Sequence, residues 1–304
     1  MDKPFEPTAL ISNMQHFSTG DGPGIRSTIF FQGCSLHCDW CHNPETIPQQ
    51  PILLFYQQRC TSCGQCVKAC PFGAHSLRDG KHVFLRDQCR SCGDCVQVCP
   101  ADALNLSGIR KTAQDVLDFI FEDLVFYQAS GGGVTLSGGE PLLQADFCAY
   151  IARRCQEKSV SVIIDTAGQV AYSAFTKVLP FTDHFYFDLK ADNQAAYRDK
   201  TGGDLLLIAG NLARLIKDGA RVTVRIPIIP GHNDNTASCR NFRPLLREAG
   251  VRSVHLLPFH RLGSSKYVAT GSSYKYRDSV PPDREKMFEL LQLFTPEFDA
   301  KIEW

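Results

Sequence analysis

The chain has 304 residues, 43% of them hydrophobic and 21% charged, which is ordinary globular composition, long enough for one large domain or two modest ones and too large for a small disulfide-stapled scaffold. Lys+Arg and Asp+Glu number 32 each, so a formal net charge of zero supplies no basic excess for nucleic acid or anionic lipid, and neither is expected as a partner. No apolar run approaches the roughly 18 uncharged residues that span a bilayer, and the opening MDKPFEP lacks a basic then apolar leader, so a cytoplasmic protein is expected.

In chain order, the first β-rich run is IRSTIFF from Ile25. Residues 51–107 follow, with two similar cysteine runs and few long apolar segments. A helix is predicted over 112–128, where Val116, Leu117, Ile120, Phe121, Leu124 and Val125 recur at helical spacing and Thr112 with Asp115 forms a capping box. Strand and helix then alternate: GVTLS from Gly133, helix 146–158, VSVIID from Val160, helix 171–179, HFYFDL from His184 and helix 206–218. RVTVRIPII from Arg221, helix 236–249, SVHLLPF from Ser253 and helix 283–294 complete the series.

Strands separated by helices favour parallel pairing with right-handed crossovers, so the class is α/β, either an open doubly wound sheet or a partial or complete β/α barrel. Either arrangement binds its ligand at the carboxyl ends of the strands, where Gly138, Gly139 and Glu140, then Asp165 and Thr166, then Asp188 and Lys190, then His260 collect. The cysteine runs interrupt the alternation after its first strand. The predicted organisation is therefore 1–50 as the first part of the α/β unit, 51–107 as an inserted domain and 108–304 as the remainder.

Fourteen cysteines are too many to pass over, and 11 of them lie between Cys34 and Cys99. A reducing cytoplasm keeps them as thiols, so their spacing reads first as metal ligation. The insert contains Cys60-x2-Cys63-x2-Cys66-x3-Cys70-Pro and Cys89-x2-Cys92-x2-Cys95-x3-Cys99-Pro. This is the bacterial two-cluster ferredoxin pattern, in which the fourth cysteine of each run ligates the other cluster. Cys60, Cys63, Cys66 and Cys99 would hold one 4Fe-4S cluster, and Cys89, Cys92, Cys95 and Cys70 the second; paired structural zinc sites are the alternative. A third group, Cys34-x3-Cys38-x2-Cys41, supplies three thiolates. A cubane so held leaves one iron open to a substrate or cofactor, whereas zinc would need His37 or His42 as a fourth ligand. Cys148, Cys155 and Cys239 have no neighbours at ligand spacing and read as small core residues. His16, His75, His82, His184, His232 and His255 form no evident constellation.

CSLHCDWC, with Trp40 before its last cysteine, resembles the C-x3-C-x2-C signature of the radical S-adenosylmethionine (SAM) superfamily. DGPGIRSTIFFQGC from Asp21 and the following CHNPET are similar to the glycyl radical enzyme activating enzymes in particular. The likeness continues in order through SGGEP from Ser137, DTAG from Asp165, DLK from Asp188, IPG from Ile229 and LPFH from Leu257. Many members have DTNG where Ala167 stands here, and the shortest members lack the insert. Beyond Arg261 the likeness extends only to a variable helical end.

The resemblance implies a partial (β/α)6 radical SAM barrel with an inserted α+β ferredoxin-like two-cluster domain. It implies that SAM chelates the open iron of the Cys34, Cys38 and Cys41 cluster and is reductively cleaved to methionine and a 5'-deoxyadenosyl radical, which takes a hydrogen from a glycine of a partner glycyl radical enzyme. The implied cofactors are three 4Fe-4S clusters, SAM and a monovalent cation near Asp165 and Asp188, with a flavodoxin or ferredoxin as electron donor. Trp40, Gly138, Gly139, Glu140, Asp165, Asp188, Lys190, Arg225 and His260 become candidate SAM-site residues, and Asp21 a candidate for the loop that meets the substrate.

Simpler roles stand beside these: a strand-to-helix turn for Gly138 to Pro141, an ion pair for Asp188 and Lys190, a loop histidine at His260 and a barrel cap at Arg225. Two other functions compete, a radical SAM enzyme acting on a small molecule or another peptide, and an electron-transfer iron-sulfur protein whose insert is the working part.

Overall fold

The computed structural model describes residues 6–304. Thirteen strands form, in chain order: β1 (Thr8–Ser18), β2 (Arg26–Phe31), β3 (Ile52–Phe55), β4 (His75–Arg78), β5 (Lys81–Phe84), β6 (Leu104–Ser107), β7 (Ile109–Thr112), β8 (Gly133–Gly138), β9 (Ser161–Thr166), β10 (His184–Asp188), β11 (Val222–Ile228), β12 (Ser253–Pro258) and β13 (Asp299–Ile302). Nine of them make one sheet in the order β13-β12-β11-β10-β9-β8-β2-β1-β7. From β2 through β13 every neighbouring pair is parallel, whereas β1 pairs antiparallel with both β2 and β7.

All six predicted strands are present, and their order in the sheet follows their order in the chain. This is what successive right-handed βα units produce. The fold is the α/β radical SAM barrel that the resemblance implies, left open as a sheet and extended at both margins. The extensions, β1, β7 and β13, were outside the sequence expectation. In β1, Ala9, Ile11 and Ser18 are buried and the other positions are part-buried or exposed, with a register shift between Ile11 and Asn13, as suits an antiparallel strand near a sheet margin. Its Ser, Asn, Gln and His side chains dilute the apolar signal.

The predicted helices form at Ala145–Gln156, Tyr172–Val178, Leu205–Lys217, Thr236–Ala249 and Arg284–Leu291. The one expected over 112–128 is two helices, Ala113–Phe121 and Leu124–Ser130. Its capping box forms as expected, with Thr112 Oγ1 accepting from Asp115 N at 3.1 Å and Asp115 Oδ2 from Thr112 N at 2.9 Å. The break falls at Asp123, whose buried carboxylate accepts from Ser27 Oγ and meets His16 Nδ1, both at 2.6 Å. Helices at Gln194–Thr201 and Ser264–Thr270 were not anticipated. No helix among the described residues is long and apolar enough to cross a membrane.

Residues 52–107 lie between β2 and β7 and contain two small antiparallel sheets, β3 with β6, the ends of the segment, and the hairpin β4 with β5. Their apolar cluster is separate from the main core and consists of Leu53, Cys66, Cys95 and Leu104. Arg86 fastens this region to the large unit, donating to Ala269 O on the Ser264–Thr270 helix at 2.6 Å and to Leu53 O at 3.3 Å.

Candidate active site

The carboxyl ends of the parallel strands and the cysteine loop after β2 enclose a cavity of about 430 Å³. Cys34, Cys38, Cys41, Trp40, Gly138, Gly139, Asp165, Asp188, Lys190, Arg225, His260 and Asp21 all line it. The motifs that the sequence scatters over some 240 residues therefore meet in one space.

The cysteine loop is held from both sides. His37 N donates to Thr201 O at 2.9 Å and Asp39 N to Lys200 O at 3.0 Å, so the end of the Gln194–Thr201 helix carries the loop's centre. Cys34 N donates to Ile47 O at 3.1 Å, and Gly139 N and Glu140 N donate to Phe31 O and Gly33 O at 3.0 and 2.8 Å. Gly138 and Gly139 are required by this contact. Gly138 has φ +105°, and a Cβ on Gly139 would run into the carbonyl of Gly33. The close approach expected of these glycines is thus made to the cysteine loop's own backbone, at the rim of the cavity.

Trp40 is 4% exposed and packs with Ile229 and Phe259 beneath the loop. Burial pushes the thiols of Cys34, Cys38 and Cys41 up to about 12. Three half-buried soft donors with raised thiols become thiolates only beside a compensating metal charge, and such a donor set fits an iron-sulfur cubane. Of the proposed fourth ligands for zinc, His37 packs against Gly202 and does not line the cavity, whereas His42 lines it with its Nε2 engaged by His260 O at 2.9 Å.

Deeper in the cavity, adjacent strands carry a chain of charges. Arg225 Nη2 meets Asp165 Oδ1 at 2.6 Å and Arg225 Nε meets Asp188 Oδ1 at 3.0 Å, while Lys190 Nζ meets Asp188 Oδ2 at 2.9 Å. Ser137 Oγ donates to Asp165 Oδ2 at 2.8 Å, and the Arg225 guanidinium lies 4.8 Å from the Tyr186 ring centre. Sheet register dictates this meeting, because Asp188 lies opposite Arg225 and Arg225 opposite His255.

The two carboxyls differ. Burial, only partly offset by Arg225, raises Asp165 to about 6. Asp188 is equally buried, but Lys190 and Arg225 together outweigh that and hold it at about 2. Asp188 and Lys190 do form the simple ion pair that the sequence left open, within a larger network.

Glu140 is the member of the predicted set that turns away. It is fully buried, and its carboxylate accepts from Thr166 Oγ1 at 2.8 and 2.9 Å, Ala167 N at 3.0 Å and Leu142 N at 3.1 Å. It caps the 3-10 helix Pro141–Gln144 and ties the β8 loop to the end of β9. Burial raises it to about 7 against these hydrogen bonds. In this orientation Glu140 serves the chain itself and does not line the cavity.

Asp21 reaches the rim because Arg26, 1% exposed, anchors its loop to β8 and β9, donating to Val134 O at 2.6 Å, Thr135 Oγ1 at 2.8 Å and Ser161 O at 3.1 Å. Asp21 Oδ2 in turn accepts from Thr28 Oγ1 at 2.7 Å. Glu303 and Trp304 also line the cavity, and Glu303 Oε2 pairs with His255 Nδ1 at 2.8 Å. Sequence reasoning missed both, since only the pairing of β13 with β12 carries that segment to the site.

The insert cysteines gather into two further cavities. Cys60, Cys63, Cys66 and Cys99 line the first, and Cys70, Cys89, Cys92 and Cys95 the second. Each group unites three cysteines of one run with the last cysteine of the other.

Residues 20–70 match the 4Fe-4S single cluster domain and residues 59–104 the 4Fe-4S dicluster domain. Among solved structures, a radical SAM methyltransferase from Sphaerobacter thermophilus covers 97% of this chain and 77% of its own, with TM-score 0.56 at 13% identity. That likeness concerns the fold, and fold and cysteine site together define a radical SAM enzyme. The chain is 38% identical over 297 residues to the trans-4-hydroxy-L-proline dehydratase activating enzyme of Clostridioides difficile, covering 96% of this chain and 98% of that protein. It is 36% identical to the indoleacetate decarboxylase activating enzyme of Tractidigestivibacter scatoligenes, covering 94% of each, and 39% identical to the benzylsuccinate synthase activating enzyme of Thauera aromatica, covering 93% and 88%. The chain belongs to the glycyl radical enzyme activating enzymes.

Proposed function

We propose that the cavity binds SAM across the Cys34, Cys38 and Cys41 cluster and that the chain carries three 4Fe-4S clusters, two of them in residues 51–107 between barrel segments 1–50 and 108–304. A cluster held by Cys34, Cys38 and Cys41 would supply one electron for the reductive cleavage of SAM at its S–C5' bond to methionine and a 5'-deoxyadenosyl radical, which would take one hydrogen atom from a glycine of the partner enzyme. The observation that carries this reading is the shared cavity, where three half-buried thiols face a polar wall of opposite charges.

In that wall Lys190 and Arg225 serve the methionine carboxylate, the Gly138–Gly139 backbone forms the rim against which SAM packs, and His260 with Trp40 flanks it. Asp165 and Asp188 hold Arg225 and Lys190 in position; a monovalent cation beside them must share carboxylates already neutralised by those two side chains. Glu140 acts by fixing the rim. Asp21, at the mouth, meets the glycine-bearing segment of the partner. The relatives are named for partners that are dehydratases, decarboxylases and synthases, so the partner's class is left open and its glycine is the common element.

Clusters held by the two insert cysteine groups would take an electron from a flavodoxin or ferredoxin and relay it inward, which would suit a catalytic cluster kept dry to protect its radical. A reducing cytoplasm suits fourteen free thiols.

The test is an anaerobic assay of the reduced protein for 5'-deoxyadenosine, with and without candidate glycyl radical enzymes, alongside iron and sulfide analysis. About twelve irons per chain and partner-dependent glycyl radical signals are expected, since each cubane holds about four. Full activity with about four irons refutes the insert assignment, and failure to cleave SAM refutes the site. Removing one insert cluster by Cys63→Ala or Cys92→Ala should impair turnover with a protein reductant more than with a small chemical one; equal losses refute the relay.

A further inference from the structure

Two insert histidines have no role in the scheme above. His75 lies on β4 opposite Phe84, and His82 on β5 opposite Leu77, so the two are diagonal neighbours on one face of the hairpin. His75 Nδ1 and His82 Nε2 are 2.9 Å apart. His82 lines the first insert cavity and His75 the second. One ring nitrogen of each lies, with the Cys66 sulfur, within a set whose members are all within 4.8 Å of one another. The remaining ring nitrogen of His82, Nδ1, is buried and has no protein partner among the described residues.

Backbone N–H groups reach sulfur in both groups: Ser62 N donates to Cys60 Sγ at 3.4 Å, Ser91 N to Cys89 Sγ at 3.3 Å, and Ala74 N to Cys70 Sγ of the second group at 3.3 Å. The histidine pair adds a side-chain donor beside the first group. One proton is shared between His75 Nδ1 and His82 Nε2. If His82 supplied it, neutral His82 would bury a bare lone pair at Nδ1 with no donor to meet it. If His75 supplies it, neutral His82 carries its proton on Nδ1 and offers a donor at the wall of the first cavity, while His75 Nε2 is left without a proton at the second.

We propose that His82 Nδ1–H donates a hydrogen bond to a thiolate or sulfide sulfur of the cluster held by Cys60, Cys63, Cys66 and Cys99, with His75 fixing the donating tautomer. This rests on the insert holding two clusters. A hydrogen bond to sulfur stabilises the more negative, reduced form and so raises the potential. The first cluster's potential is then higher than it would be without His82, and His82 is a positioning residue for it rather than a ligand.

The test uses the cluster-loaded full chain. In wild-type protein labelled with 15N-histidine, pulsed EPR of the reduced insert clusters should reveal a weak nitrogen coupling on one cluster. In an EPR-monitored titration, His82→Phe should lower the potential of one insert cluster and leave the other unchanged, and His82→Asn, which retains an N–H near the same place, should restore most of the shift. Equal potentials in wild type and His82→Phe at unchanged iron content overturn the proposal, as does a nitrogen coupling absent or large enough for direct iron ligation. If His82→Phe loses its first cluster, the wild-type nitrogen coupling and His82→Asn still decide the matter. Iron analysis separates the two readings, because an insert without iron defeats the cluster assignment itself, whereas a loaded insert without the coupling defeats only the role of His82.

Discussion

Arg225 joins the ends of β9 and β10, and Arg225→Gln is the perturbation whose size follows most directly from the structure. The substitution leaves Asp188 paired with Lys190 but leaves Asp165 with only the Ser137 hydroxyl. The Arg225 side chain is 11% exposed, so this is an interior pair, and removing one partner of such a pair costs about 3–5 kcal/mol. Because Asp165 is already raised to about 6, its ionisation opposes folding, and stability is gained as pH falls from above 6 toward the usual 3.8. Asp188 has the opposite sign: its contribution is present above 3.8 and is lost only as pH falls through about 2.

Loss of Arg225 raises Asp165 further, so between pH 8 and pH 5 the variant takes up more protons there than wild type does. The cost at pH 8 should therefore shrink by about 1–2 kcal/mol at pH 5, at about 1.4 kcal/mol for each unit by which the pKa climbs. Glu140 titrates in the same window in both proteins and cancels from the difference. Anaerobic thermal unfolding of cluster-loaded protein reads this as roughly 6–10 °C at pH 8, taking about 2 °C per kcal/mol at this chain length. Adding Asp165→Asn to Arg225→Gln should recover part of the loss. A cost below about 1 kcal/mol at pH 8, an equal cost at both pH values, or no recovery in the double variant would refute the reasoning.

Three further outcomes follow from the same geometry. Cys38→Ala should abolish 5'-deoxyadenosine formation, whereas Cys148→Ala, at a fully buried core position, should retain it with a stability loss of about 1 kcal/mol; turnover in Cys38→Ala contradicts the cluster site. Gly139→Ala should push the β8 loop away from Gly33, costing about 1–3 kcal/mol and lowering iron bound at the catalytic cluster, and unchanged melting and iron content would contradict the contact. Glu140→Gln turns an amide N–H toward the Leu142 or Ala167 N–H, a loss of about 1–3 kcal/mol. Since Glu140 is raised to about 7, wild type gains stability as pH falls through that value, and Glu140→Gln should flatten this part of the pH profile.

Sequence alone carried the cysteine spacings, the six core strands and the class of enzyme. These signals are local: ligand spacing reflects how a short loop wraps a metal, and a parallel strand buried on both faces reads as a continuous apolar run. Asp165, Asp188 and His260 were legible because strand ends in such a sheet face one side, and that rule needs only the strand order.

Tertiary structure decided what depends on separations that no local pattern records. β1 and β13 joined the sheet by pairing with distant partners, and β13 brought Glu303 and Trp304 to a cavity that their own segment does not announce. Glu140 and Gly139, which the motif groups with the ligand site, are also fastened to Thr166 and Gly33, because a motif states which groups are present and packing states where they point. The link between Arg225 and two aspartates on neighbouring strands, and the pairing of His75 with His82 between two cysteine cavities, likewise arise from strand register, which is set by the whole sheet or hairpin rather than by any one strand.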